Sequence, residues 1–387
     1  MATPTVVADG VSTNLYTTNE KPIDMFTNMF KNYPGLTPLT SILTKIASDA
    51  TSQSTVYWTE QEEIPNTMVM TAAATSSGDL TSTQYTHARK NDIWYYPATG
   101  ERLRFKATPT SGAITTATYV TRAWGASTGY AIPAGAVLVK LSPAYEENTS
   151  DVNPRHVVNS EVFNYTQELD KHTRHSRRTM NEATHFGGKG TKRTEDNQKM
   201  WRDFRKELEM NLWFQTLGNT TGTTYYIKTM RGIEERLRSG TNYYQCNGIL
   251  TESKLDGWLT DIWSQFPDTA SLAAFPAPKV YSTINQMCKP LIRLSPNSKR
   301  YGMKLNQYTG ALNLDLIPHP LFAQPGLEEW MFVLDMGQLS LVYQDRPTME
   351  LNISSGEGRY TTDRIYTLLT MRLANEARHG MMVGIKG

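Results

Sequence analysis

The sequence predicts an α+β fold, on three observations. Threonine is crowded toward the front, with 26 of its 50 copies in the first 130 residues. A β-branched residue favours strands and extended chain over helix. One long amphipathic stretch follows at about 194–218, where Trp201, Phe204, Leu208 and Leu212 recur at helical spacing. From 340 to 387 the pattern returns to strands. No period of ~20–50 residues repeats, which excludes a solenoid or a propeller.

The elements read in order as follows. Residues 1–55 form an arm, polar at first, with a short helix expected over Leu39–Ser48 because Leu39, Ile42, Leu43 and Ile46 share a face. Val56–Thr59 is a strand and Glu60, Glu62 and Glu63 an acidic turn. Residues 92–146 form a small β-subdomain of about four strands. Ile93–Tyr96 precedes a turn at Pro97–Gly100, Arg102–Lys106 and Ala117–Trp124 alternate polar and apolar, and Ala136–Leu141 is a further strand. Lys171, Arg174, Arg177 and Arg178 belong to a basic, helical-looking stretch. Thr194 is the expected N-cap of the long helix and Gly218 its stop. Residues 220–340 mix the two structures, with a helix from Thr251 whose buried face is Leu255, Leu259, Ile262 and Trp263, and strands at Lys279–Ser282 and Met331–Asp335. The tail strands are Leu339–Tyr343, Met349–Ile353 and Asp363–Leu373.

A chain of 387 residues is long enough for two or three folding units, each with its own core. With 39 Lys and Arg against 37 Asp and Glu, the net charge of +2 argues against a generally basic nucleic-acid coat and against an acidic disordered tail. Cys246 and Cys288 form no C-x-x-C pair, which excludes a disulfide framework and a cysteine zinc site. The first residues have neither a basic nor an apolar signal region, and no apolar run approaches ~18 residues, so neither secretion nor a membrane partner is expected.

Candidate chemistry is sparse. Gly125-Ala-Ser127-Thr-Gly129 matches G-x-S-x-G, whose chemistry needs a strand before the serine and a helix after it. Here Pro133 and another strand follow, so a hairpin loop is the expectation, with a serine hydrolase using Ser127 as a rival. Gly187-Gly-Lys189-Gly190 departs from phosphate-loop spacing and reads as a break before a helix. His172 and His175 could share a metal on a helix, but no neighbouring ligand completes a set. No catalytic, cofactor-binding or metal-binding residues are therefore expected, and no cofactor; this points to a structural or interaction protein.

Charge placement is more informative. Residues 1–90 carry five basic and eight acidic side chains, whereas residues 155–206 carry twelve basic and seven acidic. The acidic turn of one copy, Glu60, Glu62 and Glu63, is expected to meet Arg174, Arg177 and Arg178 of another. Exposed pairs contribute only ~0–1 kcal/mol each, so they would set register rather than drive association.

The collinear order of several short segments resembles the major capsid proteins of tailed double-stranded-DNA bacteriophages, the Hong Kong 97-type fold. Thr37-Pro-Leu-Thr and Tyr57-Trp-Thr-Glu-Gln resemble the arm leading into that family's extended loop. Tyr96-Pro-Ala-Thr-Gly-Glu101, Thr121-Arg-Ala-Trp-Gly and Ile132-Pro-Ala-Gly-Ala-Val-Leu resemble a β-insertion found in that loop. Phe163-Asn-Tyr-Thr-Gln resembles the returning strand, Arg205–Leu212 the spine helix, Arg231-Gly-Ile the opening of the axial domain, and Asn375–Gly380 with Gly384-Ile385 the end. The resemblance implies an N-terminal arm at 1–55 and an extended loop at 56–175 with its insertion at 92–146. It implies a peripheral domain with spine helix at 176–219, an axial domain at 220–340, and C-terminal strands at 341–387 completing the peripheral domain.

It also implies a non-enzymatic shell protein that self-assembles into pentamers and hexamers of an icosahedral virion. Portal, scaffolding and decoration proteins and packaged DNA would be its partners, and the host cytoplasm its place of assembly. No lysine–asparagine cross-link is expected. The outstretched front portion should find its apolar partners on sibling copies. Rivals are an encapsulin-type compartment and a β-rich carbohydrate-binding or tail protein.

Overall fold

The computed structural model describes residues 37–46, 48–61, 66–145, 147, 159–181, 183–184, 187–189, 191–222, 225–265, 272–287, 292–300, 303–309, 313–353 and 360–386. The architecture is α+β, and the chain divides into two compact units, Thr59–Glu161 and the remainder.

Among the described residues the larger unit is built on two main sheets, with short two-stranded ladders beside them. One has four strands in the order Ser48–Ala50, Leu339–Glu350, Tyr360–Leu373, Gln167–Ser176. Ser48–Ala50 runs parallel to its neighbour and the other pairings are antiparallel. The second sheet is mixed, with seven strands in the order Tyr243–Ile249, Gly380–Lys386, Met331–Asp335, Leu272–Pro276, Asn313–Leu316, Met303–Thr309, Ile292–Arg300. The helix Thr191–Phe214 serves both sheets. Near its middle Trp201 donates its indole N–H to Met349 Sδ (3.2 Å) of the four-stranded sheet. At its end the Trp213 ring lies 4.7 Å from Phe332 and 5.3 Å from Phe275 of the seven-stranded sheet. Twenty-four residues make a rod of about 36 Å, long enough to join the two.

The smaller unit has its own core around Met68, Trp94, Leu103, Phe105 and Leu138. Its five-stranded sheet has the order Thr67–Val69, Val137–Pro143, Asp92–Tyr96, Glu101–Phe105, Val120–Thr121, and a two-stranded ladder joins Leu80–Thr81 to Ala113–Ile114.

Several expectations from spacing meet a different outcome. The basic stretch around Lys171 and Arg174 is a strand, not a helix: Gln167–Ser176 pairs residue for residue with Tyr360–Leu369. On a strand the i, i+3 pair His172 and His175 points to opposite faces and cannot share an ion. The long helix starts at Thr191 and stops at Phe214, so Thr194 is not its cap, and Gly218 opens a hairpin strand instead. Lys279–Ser282, expected as a strand, lies instead in the helix Pro278–Met287, which buries Val280 and Ile284 one turn apart. Ala117–Tyr119 is a turn closed by Tyr119 N–H donating to Thr115 O (2.9 Å), leaving only Val120–Thr121 as strand. Trp263 is 44% exposed, and Trp258 takes its expected position beside Leu255, Leu259 and Ile262.

The arm is also less outstretched than expected. The helix Pro38–Ile46 buries Leu39, Ile42 and Leu43 completely in the core of its own chain. Its first part, residues 1–36, lies outside the described residues.

Candidate assembly surfaces

The arm helix is fastened by polar contacts as well as apolar ones. Its first free backbone amides, Leu39 and Thr40, each donate to the carboxylate of Glu209 at 2.9 Å. The Thr40 hydroxyl donates there too. An anion at a helix N-terminus satisfies orphan donors and meets the positive end of the helix dipole. Arg205, one turn earlier on the long helix, donates to Thr37 Oγ1 (2.8 Å). Burial pushes the Arg205 guanidinium down to about 10, with Glu209 opposing that shift. His319 Nε2 lies 2.8 Å from Glu209 Oε1, and both side chains are fully buried. Polar residues at 205 and 209, directly beside the apolar positions 204 and 208, were the available signal for this cluster.

The three arginines singled out by charge sit together where the outer strand of the four-stranded sheet ends. Burial alternates along Gln167–Ser176, so Arg174 points outward. Its guanidinium stacks on the Tyr360 ring at 4.2 Å. Arg177 and Arg178 follow on the short exposed helix Arg177–Asn181. Beneath them Asp363, paired in register with Thr173, accepts hydrogen bonds from Arg193 Nε (2.6 Å), Asn197 Nδ2 (2.8 Å) and the Asn352 amide (3.0 Å). Burial alone would push this carboxyl up, but Arg193, Asn197 and the Asn352 amide outweigh it and hold Asp363 below the usual range. The base of the basic cluster is therefore fixed by buried ionic contacts.

Glu60 ends the strand Thr55–Glu60, and its carbonyl accepts from Ser160 Oγ (3.2 Å). Glu62 and Glu63 lie outside the described residues.

Two glycines in the segments read from sequence have steric reasons. A Cβ on Gly232 would stand 2.7 Å from Gln215 N and 2.9 Å from Trp213 O, so the turn into the helix Ile233–Arg238 passes against the end of the long helix. A Cβ on Gly129 would stand 2.2 Å from Ser76 O. The G-x-S-x-G loop is thus packed by its glycine, and it leads to the Ala74–Ile132 bridge and a strand, not to the helix that a nucleophile elbow requires. Among the described residues no group of three or more His, Cys, Asp or Glu could hold a metal ion.

The smaller unit is organised by one buried ion pair. Arg122 Nε donates to Glu101 Oε1 (2.7 Å) and Nη2 to Oε2 (2.9 Å). The same guanidinium donates to the carbonyls of Thr75 (3.0 Å), Gly78 (3.2 Å) and Tyr130 (2.5 Å). Burial raises the Glu101 carboxyl, but Arg122 and the amides of Tyr130 and Ala123 bring it below its ordinary value.

Exposed apolar side chains complete the inventory. The hairpin formed by Gly218–Thr221 and Tyr226–Thr229 presents Tyr225, Tyr226 and Ile227 at 81%, 71% and 59% exposure. A two-stranded hairpin is marginal in water, so so much exposed apolar surface on one is a mark of an interaction site.

The sequence matches the profile of the SU10 major capsid protein family over residues 11–386. No curated protein matches it. Among solved structures, one of Mycobacterium phage Bobi is 9% identical over 90% of this chain and 90% of that chain, with a TM-score of 0.44. The capsid of cyanophage P-SCSP1u is 10% identical over 63% of this chain and 80% of that chain, with a TM-score of 0.40. The holo-SrpI encapsulin complex from Synechococcus elongatus PCC 7942 is 9% identical over 59% and 78%, with a TM-score of 0.40.

Proposed function

The chain belongs to the SU10 major capsid protein family, and from that membership we propose that its copies close into pentamers and hexamers of an icosahedral head around double-stranded DNA. It is a structural protein of the virion shell and associates with copies of itself. The observation that carries the reading is the family match along nearly the whole chain, from residue 11 to 386. It favours a phage head over an encapsulin-type compartment or a carbohydrate-binding tail protein.

In this reading residues 1–55 act as the arm, 56–175 as the extended loop with its insertion, 176–219 as the spine of the peripheral domain, 220–340 as the axial domain, and 341–387 as its closing strands. Portal, scaffolding and decoration proteins are the further partners. Chemistry in a catalytic sense is not required of it. Rings of identical subunits form through heterologous contacts, in which one surface meets a different surface of the next copy. The acidic turn Glu60, Glu62 and Glu63 of one copy is such a partner for Arg174, Arg177 and Arg178 of the next. The outward aim of Arg174 and the exposure of Arg177 and Arg178 support that role.

Negative-stain electron microscopy of the expressed chain tests the reading. Closed shells of uniform diameter are the expected result. A monodisperse monomer, under conditions where scaffolding protein is also supplied, would overturn it.

A further inference from the structure

The ladder between Thr55–Glu60 and Ser160–Tyr165 has an inner and an outer side. Asn164 turns inward, where its side-chain amide donates to Met371 O (2.8 Å) and Arg231 O (3.2 Å). Side chains alternate along a strand, so Phe163 and Tyr165 turn outward. The Tyr57 ring joins them, 5.9 Å from the Phe163 ring, which lies 5.4 Å from that of Tyr165. Lys228 carries the row onward. Its ammonium lies 5.3 Å from the Tyr165 ring and donates to Ser54 Oγ (2.8 Å). Tyr226, two residues earlier on the strand Tyr226–Thr229, points to the same side of its hairpin. All five side chains belong to the larger unit.

This row stands open to water. Tyr57 and Tyr226 are 60% and 71% exposed, and Phe163 and Tyr165 are half-buried. An aromatic side chain covers about 150–250 Å² when buried, so the row leaves roughly 400 Å² of aromatic surface bare. A contiguous patch of that size on a subunit marks an interaction site. Lys228, the one charge of the row, is already engaged by Ser54 and the Tyr165 ring. The remaining polar groups are the hydroxyls of Tyr57, Tyr165 and Tyr226. A hydroxyl both donates and accepts, so this surface can meet an identical copy of itself. A row of carboxylates or ammonium groups would repel its own copy.

We infer that the row is a two-fold contact, in which the aromatic face of one copy packs against the same face of a second copy. This rests on the shell function proposed above. Rings built by heterologous contacts must also be joined to one another, and an icosahedral shell joins them across two-fold axes, where residue i meets j and j meets i. Tyr57 lies at one end of the row and Tyr226 at the other, so across such an axis Tyr57 of one copy faces Tyr226 of the next. Two such faces bury roughly 800 Å², short of the ~1,200 Å² that holds a specific pair by itself. The contact is therefore silent in dilute subunits. It acts in a shell, where the ring contacts hold the copies together and raise their effective concentration.

The test uses the full-length chain with single cysteines. In closed particles purified free of other polypeptides, Y226C should react with a maleimide dye at least tenfold more slowly than in dissociated subunits. Particles made from an equal mixture of Y57C and Y226C chains, treated with a short bismaleimide, should yield chain pairs joined between positions 57 and 226. The parent chain, with Cys246 and Cys288, supplies the background for both measurements. Y57S with Y226S should keep the far-ultraviolet spectrum of the parent subunit, because both side chains stand mostly in water. It should lower the fraction sedimenting as closed particles at least tenfold. Equal dye reactivity in particles and subunits would overturn the contact, since in such particles only a second copy can cover the face. Protection without a link between positions 57 and 226 would overturn the two-fold arrangement, and parent-level assembly by Y57S with Y226S would overturn the role of the row. Should Y226C fold but not assemble, Y57C carries the labelling. If the parent chain itself forms no particles, the shell function is what fails; parent particles together with a freely reactive Y226C fail the aromatic contact alone.

Discussion

The carboxylate of Glu209 accepts the backbone N–H of Thr40 at 2.9 Å across 169 residues of sequence. The same carboxylate holds Leu39 N–H and the Thr40 hydroxyl, so one side chain of the long helix anchors the start of the arm helix. The arm is thereby part of its own subunit from residue 37 through its helix Pro38–Ile46.

Removing that anchor should loosen the arm first. Glu209→Ala strips the acceptor from buried donors and should cost about 3–5 kcal/mol, whereas Thr40→Ala, which removes one hydroxyl, should cost about 1 kcal/mol. Urea denaturation measures the loss. Limited proteolysis should show new cleavage near residues 45–55 in the Glu209 variant before the rest of the chain is attacked.

His379 makes stability depend on acid. It is fully buried, its Nδ1 accepts the Asp335 amide (3.1 Å), and its Nε2–H donates to Ala374 O (3.1 Å), so the neutral ring is fully used. Burial pushes its pKa down to about 4. The unfolded chain binds a proton near pH ~6.5 and the folded chain resists until about 4, so stability falls as pH drops through that window. The loss should reach about 3 kcal/mol, complete below pH ~4. Denaturation of unassembled chain at pH 7, 5.5 and 4 measures it, and His379→Gln should flatten that part of the slope.

Arg122→Ala should unfold the smaller unit selectively. It leaves Glu101 buried without its cation and three carbonyls without a donor, a loss of about 3–5 kcal/mol. Arg122→Lys should recover little, because an ammonium cannot span both carboxylate oxygens and the carbonyls. Hydrogen exchange should rise across residues 92–105 and stay unchanged across 201–212. Uniform exchange in both would disprove the organising role of the pair.

Reversing Arg174, Arg177 and Arg178 to glutamate should block particle formation while leaving the monomer folded. Within the chain the reversal breaks the Arg174–Tyr360 stack, a loss of about 1 kcal/mol. Normal shells from the triple variant would refute the contact with the acidic turn.

The long helix was legible because Trp201, Phe204, Leu208 and Leu212 repeat every three or four residues, and all four are buried where that spacing put them. The arm helix was legible for the same reason. Gln167–Ser176 was misread because its charges at 171 and 174, with Arg177 just past its end, fall at intervals of three, while its true signal is the period-two burial of Gln167, Leu169, Lys171, Thr173 and His175. A partly exposed edge strand carries little apolar marking, so its charges dominate the pattern. Lys279–Ser282 was misread because a lone valine and tyrosine suit either structure, and only the burial of Val280 with Ile284 decides for helix.

Sequence alone therefore determined which stretches bury an apolar face, the α+β class, the crowding of charge at the basic stretch, and, through collinear resemblance, the capsid family. Tertiary structure decided that Glu209 meets Thr40, that Arg122 gathers Glu101, the Thr75–Gly78 turn and Tyr130, and that residues 39–43 close on their own core. The reason is physical. Periodicity is a local property written in neighbouring residues, whereas the partner of a buried charge is set by how remote segments pack, and no spacing along the chain records it.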